Sequence, residues 1–201
     1  MGASCAAIEF MSSLPRLEFQ PLTPDRWDDF ETLFGERGAC GGCWCMWPRL
    51  VRSDFQKHKG AGNRRAMKNI VESGPPPGLV AYAHGQPVAW CALAPRETYG
   101  VLATSRILKP VDQRPVWSVV CFFVAKPFRQ RGLTTKLLDA AAKYARQQGA
   151  RIVEGYPVEP KVDSRTADVF VWTGLASAFR KAGFEEAARR SPTRPIMRRE
   201  V

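Results

Sequence analysis

Between an apolar run ending at Val124 and an amphipathic run starting at Leu133 lies KPFRQRGLT, residues 126–134. Two arginines, a lysine and a glycine crowd a gap of this length for a reason that can be chemical. A strand-to-helix turn gathers unpaired backbone N–H groups and the positive end of a helix dipole above the sheet. Gly132 lets that backbone approach an anion closely, and Lys126, Arg129 and Arg131 add charge that a bare turn lacks. A diphosphate fits such a place. A P-loop would need GxxxxGK followed by Ser or Thr, and a dinucleotide turn would need GxGxxG; neither string is present. Taken alone, RQRGLT also reads as a basic, solvated helix start with a turn glycine.

Other residues that could do chemistry are more scattered. Glu154 sits midway along RIVEGYPV, residues 151–158, a run expected to be a buried strand, where an ionisable group needs a reason; Tyr156 shares its face two residues on. Glu154 is the candidate general base, and its alternative is an ion pair with one of the 30 lysines and arginines. Cys40, Cys43 and Cys45 in CGGCWC look like half a zinc site, but no second CxxC or HxxxH follows and His58 and His84 stand alone, so no metal is expected. Trp44 and Trp47, beside those cysteines, either border a substrate or pack on the core. In DVFVWTG, residues 168–174, Asp168 and Trp172 can grip a cationic amine by charge and ring face, while Trp172 and Thr173 can equally staple and cap a helix. Cys91 and Cys121 lie inside strand-like runs and read as small buried thiols, with nucleophilic catalysis at Cys121 the sharper alternative.

The elements that must position these groups follow from periodicity. VWSVVCFFV, 116–124, is β-branched and aromatic without polar alternation, a strand buried on both faces. After it, Leu133, Leu137, Leu138, Ala141, Ala142 and Ala145 share one helical face, and Gly149 closes the helix. Residues 16–22 alternate as a first strand. A helix follows over 24–36, with Thr23 or Asp25 as its cap and Trp27, Phe30 and Phe34 inward, and another spans 53–73. LVAYAH and PVAWCALA form a hairpin joined at Gly85 and Gln86. After the strand at 151–158 come an irregular stretch over 159–172, a short helix over 174–182, and two strands around FEEAARR and PIMRRE. The order predicts a mixed α/β sheet with helices on both faces and a small ligand where strands part. With 201 residues and 45% hydrophobic content, we expect a loose tail over 1–14 and a single domain over 15–201.

The net charge of +11 suits a polyanion, an anionic surface or a phosphate-rich small molecule. No run of about 18 apolar residues exists. The N-terminus has no secretory pattern, and Ala6 spoils a myristoylation signal, so a soluble cytoplasmic protein without a membrane partner is expected. The arginines of ARRSPTRPIMRRE, residues 188–200, allow a nucleic-acid reading, but no nucleic-acid module appears in the order of elements and that partner is not expected.

VAKPFRQRGLT, with Val124, Pro127, Arg129, Gly132 and Thr134, resembles the acetyl-CoA motif of the GNAT superfamily of N-acetyltransferases: Gln or Arg, two variable residues, Gly, one variable residue, then Gly or Ala. Thr134 departs at the last place. The element order and Gly183-Phe184 after the last helix are also similar, so the resemblance covers roughly residues 16–200. It implies a mostly antiparallel sheet with splayed central strands and a single acetyl-CoA-dependent N-acetyltransferase domain acting on a primary amine of a small molecule by direct attack. It further implies that Phe122, Phe123 and Val124 bond the pantetheine arm, that amides from Arg129 through Gln130, Arg131, Gly132, Leu133 and Thr134 to Thr135 hold the pyrophosphate, and that Trp44 and Trp47 wall the acceptor. Thr173, with Trp172, stands by a position facing pantetheine. Phe179 occupies the place where relatives often keep a tyrosine that protonates the departing thiolate. Its missing hydroxyl implies replacement by Tyr156 or water, or a protein that binds acetyl-CoA without efficient turnover. Homodimers are frequent among such relatives.

Overall fold

A computed structural model describes residues 14–160 and 171–201. The anticipated tail, apart from Leu14, and Asp168 lie outside the described residues. One seven-stranded sheet runs through them: β1 (Leu17–Pro21), β2 (Gly78–Ala83), β3 (Gln86–Pro95), β4 (Trp117–Val124), β5 (Ile152–Gly155), β6 (Glu185–Arg189) and β7 (Pro195–Glu200), in spatial order β1-β2-β3-β4-β5-β7-β6. Only β4 and β5 pair in parallel; the other neighbours are antiparallel. Helices α1 (Trp27–Phe34), α2 (Arg52–Lys57) and α3 (Ala61–Ser73) share one core with Trp90 and Ala92 of β3, and Leu102 of the short α4 (Gly100–Thr104) joins it. Helices α5 (Leu133–Gln147) and α6 (Ala176–Lys181) cover the opposite face over Val119, Val153 and Met197. The expected mixed sheet with helices on both faces is what the chain forms.

The hydrophobic stripe of α5 explains its seat. Leu137, Leu138, Ala141 and Ala145 are all fully buried against the sheet, and each large aliphatic side chain contributes about 1.5–3 kcal/mol by leaving water. The hairpin turns through His84 and Gly85, whose φ values of 51° and 73° are both left-handed, so the turn lies one residue earlier than expected. The expected helix over 53–73 is two helices. Its break at His58–Gly60 comes from Gly60, left-handed at φ 82°, whose N–H donates to Gly42 O at 3.0 Å. A Cβ at Gly42 would meet the Gly60 nitrogen at 2.6 Å, so glycine at 42 is what lets the cysteine loop dock there.

The strand expected over 151–158 is short, and this shapes the site. β4 meets β5 only where Trp117, Ser118 and Val119 face Val153, Glu154 and Gly155. A Cβ on Gly155 would lie 2.1 Å from the Phe179 ring, so β5 ends against α6. Beyond Val119, β4 runs on to Val124 with no strand among the described residues on that side.

Candidate functional site

The unpaired half of β4 borders a cavity of about 1040 Å³. One wall is the strand edge from Cys121 to Val124, continuing through Phe128, Arg129 and Gln130 into the first turn of α5 from Gly132 to Thr135. Val171, Trp172, Gly174 and α6 form the facing wall, and Phe34, Trp47, Phe55 and the cysteine loop close one end. Phe122 N–H donates to Trp172 O at 2.7 Å, so one of the expected edge donors is engaged. Ala125 N–H donates to Val88 O of β3, and strand alternation turns the Val124 N–H, on the same edge as Phe122, toward the parted side.

The turn ahead of α5 has the form expected of an anion cradle. Gln130 and Gly132 are both left-handed, at φ 58° and 79°, so successive N–H groups converge as in a backbone nest. Gln130 is not a glycine, and holding it there costs free energy that surrounding structure must offset. No side chain caps α5 at Gly132, and a Cβ at that residue would meet nothing within 4 Å, so the approach to the first-turn amides is open. Two of the anticipated donors are engaged: Arg129 N–H bonds Lys126 O and Thr135 N–H bonds Gly132 O. The Arg129 side chain folds back, its Nε donating to Val124 O at 2.9 Å, and the Arg131 guanidinium lies 6.0 Å over the Phe128 ring, outside the cavity lining.

Glu154 and Tyr156 are placed elsewhere. Glu154 is fully buried between Arg96 Nη1 at 2.9 Å and Arg198 Nε at 2.7 Å. Tyr156 Oη donates to Glu154 Oε1 at 2.6 Å and lies 2.8 Å from Ser118 Oγ. Arg198 also forks onto Asp112 at 2.7 and 3.2 Å, and holds that carboxyl well below the usual range. Burial pushes the Tyr156 hydroxyl well up. Neither Glu154 nor Tyr156 lines the cavity. Residue type and burial had singled out Glu154 correctly as ionisable and enclosed, yet its partners lie 58 and 44 positions away, beyond any local pattern.

The remaining candidates divide in the same way. Trp47 borders the cavity and meets Phe55 edge-on at 5.0 Å, whereas Trp44 is buried in the core, stacked 5.8 Å from Phe34. Trp172 borders the cavity; Thr173 is buried, and its hydroxyl accepts from Arg194 Nη1 at 2.8 Å rather than capping α6, whose cap position is Leu175. Phe179 is fully buried 5.1 Å from Phe184 and does not line the cavity. Among the described lining residues there is no Asp, Glu or His, while Cys40, Cys43, Cys45 and Cys121 all contribute. Among the described residues no group of three or more His, Cys, Asp or Glu is arranged to hold a metal, and no helix is long and apolar enough to cross a membrane. The C-terminal arginines that suggested nucleic acid all have partners in the chain. Arg189 pairs with Glu159 and Glu186, Arg190 with the Lys109 and Pro110 carbonyls, and Arg199 with Asp139, alongside Arg194 and Arg198 above.

The family model described as Acetyltransferase (GNAT) family matches residues 44–163. No curated protein matches the sequence. Solved structures give the same fold: a GNAT-family acetyltransferase from Listeria monocytogenes at 9% identity and TM-score 0.57, covering 93% of this chain and 96% of that one. A second, from Streptococcus agalactiae, has 14% identity and TM-score 0.55 over 92% and 95%. A putative arylalkylamine N-acetyltransferase from the yellow fever mosquito has 14% identity and TM-score 0.55 over 92% and 87%.

Proposed function

Because the chain belongs to the GNAT acetyltransferase family, we propose that it carries the acetyl group of acetyl-CoA to a primary amine of a small molecule by direct attack on the thioester. The observation that carries this reading is the nest at Gln130 and Gly132, set before an uncapped helix and opening on the same cavity as the free edge of β4. The amides of Gly132, Leu133 and Thr134 supply donors for a diphosphate, and the Val124 N–H is the donor for a thioester oxygen, where it stabilises the charge that develops on attack. Trp47, Phe123 and Trp172 wall the acceptor, and the cavity aligns an uncharged amine against an already activated ester. Glu154 takes no proton in this scheme, since both carboxylate oxygens are engaged away from the cavity; the amine proton leaves to water. The domain acts in the cytoplasm in this reading.

A second reading, acetyl-CoA binding with little turnover, is favoured by one observation: Phe179, at the place of the usual acid, is a buried ring with no hydroxyl. One preparation tests both. Calorimetric titration with acetyl-CoA is followed by thiol release over a library of primary amines. Binding with release supports transfer, binding without release for any amine supports the second reading, and no binding overturns both.

A further inference from the structure

We infer that Cys45 and Cys121 form an oxidisable dithiol in the cavity wall, a modification site that takes a hydroperoxide and closes to a disulfide joining the cysteine loop to β4. Both residues line the cavity and both belong to the packing on one face of the sheet. The register fixes this. Trp90 of β3 faces Phe123 and Ala92 faces Cys121, so Trp90 and Cys121 are diagonal neighbours on that face. The Trp90 indole Nε1 donates to Cys45 Sγ at 3.2 Å, which sets the Cys45 sulfur over the same patch. The loop holds it there against resistance: Trp44 and Cys45 are consecutive non-glycine residues at φ 46° and 58°. Such conformations persist where the surroundings over-determine them, and here the Trp44 ring fills the space that a Cβ on Gly38 would occupy, 2.3 Å from its Nε1.

The electrostatics assign different roles to the two thiols. Hydrogen bonding from the Cys121 thiol and then from the Trp90 indole holds the Cys45 thiol below its usual range against the opposing effect of burial, with Arg49 adding to the lowering. The bond to Cys45 and burial push Cys121 well up. Cys45 is the attacking sulfur, since the Trp90 N–H aimed at its Sγ from 3.2 Å favours the thiolate, the nucleophilic form. Its lone pair attacks one oxygen of the hydroperoxide and the O–O bond breaks; the leaving oxygen departs with the electron pair and takes a proton to become alcohol, or water from hydrogen peroxide. The Cys121 sulfur then attacks the resulting sulfenic acid and loses its proton, and the departing hydroxide takes that proton as water. Two thiols lose two electrons, and one hydroperoxide is reduced.

The whole protein is treated with hydrogen peroxide, quenched with catalase, alkylated, digested and mapped by mass. The expected result is a Cys45–Cys121 cross-link reversed by dithiothreitol. A Cys40–Cys43 link in its place, or no link, overturns the inference. Cys121→Ser is expected to stop at a sulfenic acid on Cys45 that dimedone traps, and Cys45→Ser to leave Cys121 unlabelled; dimedone on Cys121 at the parent rate in that variant overturns the assignment of the attacking thiol. The map reads sulfur alone, so it stands whether or not acetyl transfer is found.

Discussion

The two ends of β4 differ in one respect that organises the molecule. At the paired end, Ser118 faces Glu154 across a parallel ladder, and the Glu154 carboxylate, the Tyr156 hydroxyl and two guanidinium groups satisfy one another inside the protein. At the parted end, the nest at Gln130 and Gly132 and the first turn of α5 carry donors that no side chain caps, bordering a cavity. Both ends hold charged or polar groups, but only at the second do hydrogen-bond donors without a side-chain cap border a cavity. Burial of an ionisable group marks an enclosed network as readily as a reactive one; what marks a site is unsatisfied hydrogen-bonding capacity facing space.

Breaking the paired end has the largest expected effect. Glu154→Gln leaves Arg96 without its carboxylate and Arg198 with Asp112 alone, and removal of one partner from such a buried set costs about 3–5 kcal/mol. The urea midpoint should fall accordingly, while acetyl-CoA affinity of the folded fraction holds; loss of affinity with unchanged stability would reverse the assignment of the two ends. Gly132→Glu tests the parted end. The left-handed φ of 79° costs a non-glycine residue about 1–2 kcal/mol, and a carboxylate at the helix start opposes the anion, for a loss of about tenfold or more in acetyl-CoA affinity. Calorimetry reads it, and unchanged affinity would remove the cradle from the site.

Acid sharpens the contrast next. Asp112 is held low by Arg198, so its contribution to stability is present above the unfolded carboxyl value near 4 and is lost as pH falls below it. Asp112→Asn should therefore flatten the dependence of the urea midpoint on acid pH. The smallest effect lies at alkaline pH. Burial pushes the Cys43 thiol up to about 11, so folding gains from Cys43 fully below about pH 9 and loses that gain as pH rises through 11. Cys43→Ala should flatten the alkaline limb of the stability profile.

Much of this was legible in the sequence because it is local. The apolar run of β4, the stripe of α5 and the glycine between them are properties of neighbouring residues, and so is the strand-to-helix turn they form. His84-Gly85 and Gly60 show the limit: both were within reach as turn signals, yet the break of the 53–73 run depends on Gly42 docking against Gly60, eighteen positions away. Trp44 and Trp47, three residues apart, take opposite parts, one in the core and one at the cavity, in a loop whose backbone is left-handed at Trp44 and Cys45 and so follows no helical or strand period.

By itself, then, the order of residues determined the mixed sheet, its helices and the glycine turn, since hydrogen-bonding geometry and hydrophobic period act over a few residues. Only the tertiary structure decided that Glu154 is closed off by Arg96 and Arg198, that Phe122 bonds Trp172, and that Cys45 meets Trp90 and Cys121. Those are meetings between segments distant in sequence, and the energy that selects them comes from burying and pairing groups that have no neighbour-to-neighbour signature.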